Sequence, residues 1–177
     1  MKNILIVVDM QNDFVSGVLG TPEAKAIVPR VEETVRTLAR QDYTIIFTRD
    51  THGESYMDTQ EGNKLPVPHC IKHSQGWDII DELKPYTANR LIIDKPTFGS
   101  RILGETLADM NNSDDVESIT LIGLCTDICV VSNAMLIKAF LPEVPVSVIA
   151  DCCTGVSPES HENALKAMAC CQINIIR

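Results

Sequence analysis

The chain has 177 residues, of which 45% are hydrophobic and 22% charged, a balance typical of a soluble globular protein. Its formal net charge of −9, without any cluster of Lys and Arg, argues against a nucleic acid or an anionic membrane as partner. No apolar run approaches the roughly 18 residues that a membrane span requires. We therefore expect a single cytoplasmic domain over residues 1–177, with no nucleic-acid or membrane partner.

Apolar, β-branched runs alternate with segments of helical periodicity along the chain. The strand-like runs are 3–9, 43–50, 90–95, 118–124, 146–151 and 173–177. Apolar spacing and N-cap residues predict helices over 27–42, 100–110, 126–140 and 157–171. This alternation predicts a three-layer α/β/α fold with a six-stranded, mainly parallel sheet that helices cover on both faces.

One long irregular segment runs from Asp50 to about Gly76 and holds three of the four histidines, His52, His69 and His73. Connections longer than about 15 residues without secondary structure are usually functional. This segment follows a strand, so it lies at the carboxyl edge of the sheet, where α/β folds bind their ligands.

The seven cysteines do not form the pattern of a disulfide framework, because their number is odd and two pairs are adjacent in sequence. The sequence contains no CxxC pair, so it gives no indication of a zinc ribbon. We interpret four of them as core or near-core residues: Cys152, Cys153, Cys170 and Cys171.

Three predicted strands lead to a reactive side chain, namely Asp9, Lys95 and, through the stretch GLCTD, Cys129. The carboxyl ends of parallel strands meet at one edge of a sheet, so these groups can converge. A cysteine near a helix N-terminus and a lysine has its thiolate favoured. A nearby carboxylate can take and return a proton.

Spacing alone leaves other interpretations of these residues open. Asp9 could cap a turn, and Lys95, which precedes a proline, could be solvated. Cys125 and Cys129 could simply pack in the core, and as a metal pair they would need soft partners that the sequence does not place near them.

A second group of residues has the composition of a metal site. Asp50 and His52 flank one residue at a strand exit, and His69 could return across the long loop as a third ligand. Two imidazoles and a carboxylate commonly hold a catalytic divalent metal that keeps open positions. On spacing alone, these histidines could equally be surface residues.

Five motifs carry a resemblance to a known family: IVVDMQNDF, TRDTH, PVPHC, DKPTFGS and GLCTDICV. In this order they resemble the isochorismatase-like cysteine hydrolase superfamily, which includes the nicotinamidases. The resemblance runs from residue 4 to about residue 135, and it implies that superfamily's α/β/α fold.

The resemblance implies a catalytic triad of Asp9, Lys95 and Cys129. Cys129 would attack an amide carbonyl to give a thioester, Asp9 would shuttle the proton, and Lys95 would hold the thiolate and orient Asp9. The backbone N–H groups of Cys125 and Cys129 would form the oxyanion hole. The family also implies a cis peptide bond between Leu124 and Cys125.

In nicotinamidases the positions that match Asp50, His52 and His69 bind a divalent metal. We therefore expect zinc here, with iron or manganese as alternatives and water or substrate as the fourth ligand. His73 is interpreted as a pocket or surface residue. The resemblance also implies a homo-oligomer.

The resemblance places Phe14 against the substrate ring, with plain core packing as the alternative, and adds Leu124 and Phe98 to the pocket. Nicotinamidases often have a tryptophan where this chain has Pro66. Phe98 or Trp77 could replace that aromatic wall.

The leading hypothesis is a metal-assisted cysteine amidohydrolase that hydrolyses a small carboxamide, with nicotinamide as the first substrate to test. One alternative is an isochorismatase-type vinyl-ether hydrolase, which needs neither a thiol nor this metal triad. Another is a catalytically silent α/β binding protein, which predicts no thiol reactivity and no bound metal.

Overall fold

Six parallel strands form one central sheet in the computed structural model, which describes residues 1–177. The strands are β1 (Lys2–Val8), β2 (Thr44–Asp50), β3 (Leu91–Lys95), β4 (Val116–Leu124), β5 (Val146–Thr154) and β6 (Asn174–Ile176). Their order is β3-β2-β1-β4-β5-β6, and every neighbouring pair is parallel. The predicted six-stranded sheet is confirmed, and it is parallel throughout.

Helices connect the strands and cover both faces of the sheet. They are α1 (Asn12–Val15), α2 (Pro22–Arg40), α3 (Gln60–Lys64), α4 (Arg101–Asp114), α5 (Val131–Phe140) and α6 (Pro158–Cys170). Helix α2 begins at Pro22 rather than at residue 27, because the Thr21 hydroxyl caps it by accepting from the Ala24 N–H at 3.0 Å. The helix predicted over 126–140 opens as a π-helical turn, Thr126–Val130, and continues as α5.

The core consists of two apolar clusters, one on each face of the sheet. Alternate residues of β1 point to opposite faces: Ile4 and Ile6 join the cluster under α4, α5 and α6, whereas Leu5 and Val7 join the cluster under α2. This double burial is why the strands are continuously apolar. The three-layer α/β/α architecture is therefore confirmed.

The strand order reverses beside β1, and this positions the site. The chain runs from β1 outward to β2 and β3, and then returns to place β4 on the other side of β1. Crevices at such switch points are the usual ligand sites of α/β sheets. At the end of β4, Gly123 has φ of +117°, and a Cβ there would lie 2.1 Å from the Val8 carbonyl oxygen. Only glycine lets β4 approach β1 this closely.

The structure corrects part of the prediction for the cysteines. Cys152 and Cys153 are buried, as predicted, but Cys170 and Cys171 are exposed. Helix α6 buries Ala164, Leu165 and Met168 on its inner face, so the two cysteines at its C-terminal end fall outside the core. Separately, no helix of the chain is long and apolar enough to cross a membrane.

Candidate active site

The three predicted catalytic side chains meet at the carboxyl edge of the sheet. Lys95 Nζ lies 2.7 Å from Asp9 Oδ2 and 3.3 Å from Cys129 Sγ. All three residues are buried, and Lys95 is not solvated. Asp9 directly follows β1, Lys95 ends β3, and Cys129 lies in the turn after β4. Residues that are 34 and more positions apart in sequence are thereby in contact.

The two oxygens of the Asp9 carboxylate have different partners. The Thr48 hydroxyl on β2 donates to Asp9 Oδ1 at 2.6 Å. Asp9 Oδ2 is buried and has Lys95 Nζ as its ionic partner at 2.7 Å, with no further hydrogen-bond partner. This oxygen therefore retains capacity for a proton.

Burial sets the protonation of the trio. Burial raises the pKa of Cys129 well above its ordinary value, Asp9 adds to the rise, and Lys95 opposes it. Burial likewise raises the pKa of Asp9 despite Lys95. Burial alone would lower the pKa of Lys95, but the charges of Asp9, Cys129 and Asp50 outweigh it and raise that pKa. The expectation of a favoured thiolate is therefore wrong for the resting site, because desolvation exceeds the effect of one ammonium group.

The nucleophile turn has an unusual backbone. The Leu124–Cys125 peptide bond is cis, as the resemblance implies. The Cys125 carbonyl accepts from the N–H groups of Ile128 and Val130 at 3.1 and 3.0 Å, whereas the Cys125 N–H donates to no protein acceptor. Burial, and then Asp127, raise the pKa of the Cys125 thiol to about 12.

A buried amide links this turn to the loop after β3. Asn133 Nδ2 donates to the carbonyls of Cys129 at 2.8 Å and Phe98 at 3.0 Å, and its Oδ1 accepts from the Ser100 N–H at 2.9 Å. Asn133 therefore fixes the nucleophile turn relative to the loop after β3. No sequence pattern pointed to Asn133.

The predicted metal ligands also converge, and a fourth residue joins them. Asp50, His52, Glu61 and His69 each offer a ligand atom, and these atoms lie within 4.8 Å of one another. His52 Nε2 is 3.0 Å from Asp50 Oδ2 and 3.6 Å from Glu61 Oε1. Tetrahedral ligands at about 2.0–2.1 Å from zinc are about 3.4 Å apart, so this donor set fits such an ion.

The local chain path explains how these ligands meet. Asp50 ends β2 directly beside Lys95 of β3, and their side chains approach to 3.3 Å. The His52 N–H donates to the Cys70 carbonyl at 3.0 Å, which brings the 69–70 segment alongside residue 52. His69 Nδ1 lies 2.8 Å from the Val67 carbonyl oxygen, and this contact leaves Nε2 to face the cluster.

Glu61 was missed by the sequence analysis. It lies on α3, whose start is capped by the Thr59 hydroxyl accepting from the Gly62 N–H at 3.0 Å. The Tyr56 hydroxyl donates to the Leu65 carbonyl at 2.8 Å and fixes the end of that helix. The only signal in the sequence was a carboxylate inside the loop that already held the histidines.

Burial alone would raise the pKa of Asp50, but hydrogen bonds from His52 and His69 and the charge of Lys95 outweigh it and lower that pKa. Burial alone would lower the pKa of His69, but its hydrogen bond to Asp50 outweighs that effect and raises the pKa. Asp50 therefore remains a carboxylate that faces both the trio and the histidine cluster.

A second buried amide, Gln11, holds the backbone of Asp50. Its Nε2 donates to the carbonyls of Asp50 at 2.9 Å and Trp77 at 2.8 Å, and its Oε1 accepts from the Asp50 N–H at 2.7 Å. Gln11 has no exposed surface. It fixes the position from which the Asp50 carboxylate extends.

A cavity of about 580 Å³ opens onto both groups of residues. Asp50, Glu61 and His69 line one part of it, and Cys125 and Cys129 line another. One ligand can therefore contact the trio and the histidine cluster at the same time.

The three predicted pocket residues, Phe14, Leu124 and Phe98, all line this cavity. Phe14 also packs against the His69 ring, with 5.6 Å between the ring centroids. Trp77 is not a wall of the cavity: it stacks under Arg49 at 3.5 Å from its ring centroid, and its indole N–H donates to the Thr51 hydroxyl. His73 is exposed and packs on Trp77, so it is a surface residue outside the metal cluster.

Groups in this arrangement can perform acyl transfer, because a thiol, a carboxylate and an ammonium group meet where an open cavity begins. The sequence places the protein in a known family: the model described as the isochorismatase domain matches residues 3–176, and the chain belongs to this family.

Curated and solved relatives agree with that family. A nicotinamidase of Schizosaccharomyces pombe is 25% identical, over 97% of this chain and 91% of the relative. The pyrazinamidase/nicotinamidase of Streptococcus mutans UA159 is 25% identical with a TM-score of 0.85, over 99% of this chain and 100% of that one. The zinc complex of a Pyrococcus horikoshii pyrazinamidase is 27% identical with a TM-score of 0.78, over 100% and 99% of the two chains.

Proposed function

We propose that this protein is a metal-assisted cysteine amidohydrolase that converts a small, neutral carboxamide into its acid and ammonia. Nicotinamide is the first substrate to test. The observation that carries this proposal is the position of Lys95 Nζ, 2.7 Å from Asp9 and 3.3 Å from Cys129. Cys129 lines the same cavity as Asp50, Glu61 and His69.

In the first half-reaction, Cys129 Sγ attacks the amide carbonyl carbon and its proton passes to Asp9 Oδ2, the carboxylate oxygen that faces Lys95. The C–N bond then breaks, and the same proton goes to the leaving nitrogen, which departs as ammonia. Lys95 stabilises the negative charge that moves from the carboxylate to the sulfur and the carbonyl oxygen.

In the second half-reaction, water attacks the thioester carbon while Asp9 accepts its proton. The C–S bond breaks, the acid leaves, and the proton returns to the Cys129 sulfur. The unpartnered N–H of Cys125, together with that of Cys129, suits the negative oxygen formed in both halves. Removing one such donor typically costs about 3–4 kcal/mol in the transition state.

Asp50, His52, Glu61 and His69 would hold a divalent metal, with zinc as the first candidate and iron or manganese as alternatives. The four imidazole-to-carboxylate distances in this group, 3.0–3.8 Å, support this assignment. When bound, such an ion would supply an electrophilic site for a ring nitrogen or a water as a fifth ligand, beyond the four protein donors. The zinc-bound pyrazinamidase relative supports the same assignment.

The alternative of a vinyl-ether hydrolase is less well supported by the cavity. Isochorismate carries carboxylates, and the only lysine or arginine among the cavity's lining residues is Lys64, which is exposed. Lys95 is already paired with Asp9 and Asp50. A silent binding protein would also have little reason to bury these charges, since desolvating an ion pair rarely adds stability.

The test is ammonia release from a panel of amides, measured beside the metal content of the same purified protein. We expect about one metal ion per chain and hydrolysis of at least one aromatic carboxamide. Stoichiometric metal without hydrolysis of any amide would overturn the enzymatic proposal. A single domain, the cytoplasmic location and the homo-oligomer remain predictions.

A further inference from the structure

The cavity is larger and more apolar than nicotinamide requires. Its volume of about 580 Å³ lies within the range of about 300–1,000 Å³ that drug-sized ligands occupy. Nicotinamide is one six-membered ring with a carboxamide, so it would leave much of this space to water.

Much of the cavity's lining is apolar. Leu19, Leu65, Phe98, Ile128 and Val156 are among its apolar residues. Three of these are large side chains with high exposure: Leu65 is 38%, Phe98 44% and Val156 65% exposed. They come from three different loops, after α3, β3 and β5, so the chain gathers apolar surface at one mouth.

The apolar lining residues offer no charged partner to an anionic group. Lys64 is the only lysine or arginine in the lining and is exposed, so its charge is screened by water. The other charged groups of the lining, Asp50, Glu61 and His69, belong to the proposed metal cluster. A substrate with a carboxylate on its acyl group would find no buried partner there.

We infer that the preferred substrates are neutral carboxamides whose acyl group carries an apolar extension beyond a single ring. The carboxamide lies at Cys129 and the extension covers Leu65, Phe98 and Val156. This inference rests on the proposed amidohydrolase function and specifies its substrate class.

The test uses nicotinamide and its 5-methyl, 5-ethyl and 5-propyl derivatives, whose substituent lies on the ring edge away from both the carboxamide and the ring nitrogen. Burial of each added methylene is expected to raise kcat/KM about four-fold. The matched 5-carboxylate derivative should be at least about ten-fold poorer than nicotinamide, because its charge loses water without gaining a partner. If kcat/KM stays constant or falls from nicotinamide to its 5-propyl derivative, the inference is wrong.

Two variants locate the effect. Phe98→Ala should remove most of the gain along the alkyl series, whereas Ile102→Ala, an exposed apolar residue of α4 that is not part of the cavity lining, should keep it. Light scattering measures the molar mass of each variant in solution, and therefore its oligomeric state. A changed mass for Phe98→Ala would assign that residue to a contact between copies of the chain and overturn its role as a substrate wall.

Binding separates this inference from the proposed function. Calorimetric titration of Cys129→Ala with the same amides reports affinity without turnover, and Kd should fall along the alkyl series. If Kd falls while the wild type hydrolyses none of the amides, the proposed function is wrong and the pocket preference stands. If nicotinamide is hydrolysed but neither Kd nor kcat/KM improves, the proposed function stands and this inference fails.

Discussion

Lys95 Nζ and Asp9 Oδ2 lie 2.7 Å apart, and neither side chain has any exposed surface. The same ammonium group also faces Asp50 Oδ1 and Cys129 Sγ, each at 3.3 Å. One cation is therefore shared by two buried carboxylates and also contacts the thiol. This shared position makes Lys95 important both for the fold and for the chemistry.

Replacing this lysine should destabilise the protein strongly. Lys95→Met leaves two carboxylates without their cation, and breaking a buried pair from one side typically lowers the free energy of unfolding by about 3–5 kcal/mol. Urea unfolding at pH 7 measures the change. The matched control is Lys84→Met, which removes an exposed pair with Asp81 and should have little effect. Equal stability of the two variants would contradict the proposed role of Lys95.

The Gln11 amide should determine how well Asp50 is held. Gln11→Glu keeps the shape of the side chain but removes the two donated hydrogen bonds to the Asp50 and Trp77 carbonyls. Leaving buried carbonyls unpaired should lower the free energy of unfolding by about 2–4 kcal/mol and weaken metal binding as Asp50 shifts. Gln75→Glu, at an exposed position, is the control. If metal affinity is unchanged in Gln11→Glu, Gln11 does not position the ligand.

Glu61 should contribute to metal affinity. Glu61→Gln keeps a neutral oxygen but removes the carboxylate charge, and we expect the metal dissociation constant to rise at least about ten-fold. Competition with a chelator, read out by elemental analysis, measures it. Glu54→Gln changes an exposed carboxylate in the same loop and should leave the affinity unchanged. Equal metal dissociation constants for Glu61→Gln and Glu54→Gln would show that Glu61 is not a metal ligand.

His161 should give the protein a pH-dependent component of stability. Burial lowers the pKa of His161 from its ordinary value of 6.5, and its Nδ1 lies 2.8 Å from the Thr126 hydroxyl at the start of the nucleophile turn. A lowered pKa in the folded state means that stability is present above pH 6.5 and is lost as the pH falls through the folded pKa. The unfolding free energy of wild type relative to His161→Gln should therefore decline below pH 6.5. A constant difference from pH 8 to pH 5 would contradict this.

Strand ends made the site predictable to a large extent. The continuous apolar runs identified the strands, and parallel pairing then brought Asp9, Lys95 and Asp50 to one edge. The resemblance gave Cys129 its expected role and the cis bond its position. These features follow from local sequence patterns and from one topological rule.

What the sequence could not provide depends on the course of the loops and on burial. Glu61 reaches the histidines only because α3 folds back inside the long loop. Asn133 and Gln11 act through backbone carbonyls that no sequence pattern reveals. The thiolate expectation at Cys129 was wrong because the depth of burial cannot be read from spacing.

Ammonia release by Cys129→Ala and Cys125→Ala, assayed side by side on the amide that the wild type hydrolyses fastest, decides whether Cys129 is the nucleophile. We expect Cys129→Ala to lose at least about 10³-fold in kcat, because it lacks the attacking sulfur. Cys125→Ala keeps its backbone N–H and should stay within about ten-fold of the wild type, since one such donor accounts for a loss of about 10²–10³ only when it is removed. Comparable activity of the two variants would contradict a nucleophilic role for Cys129.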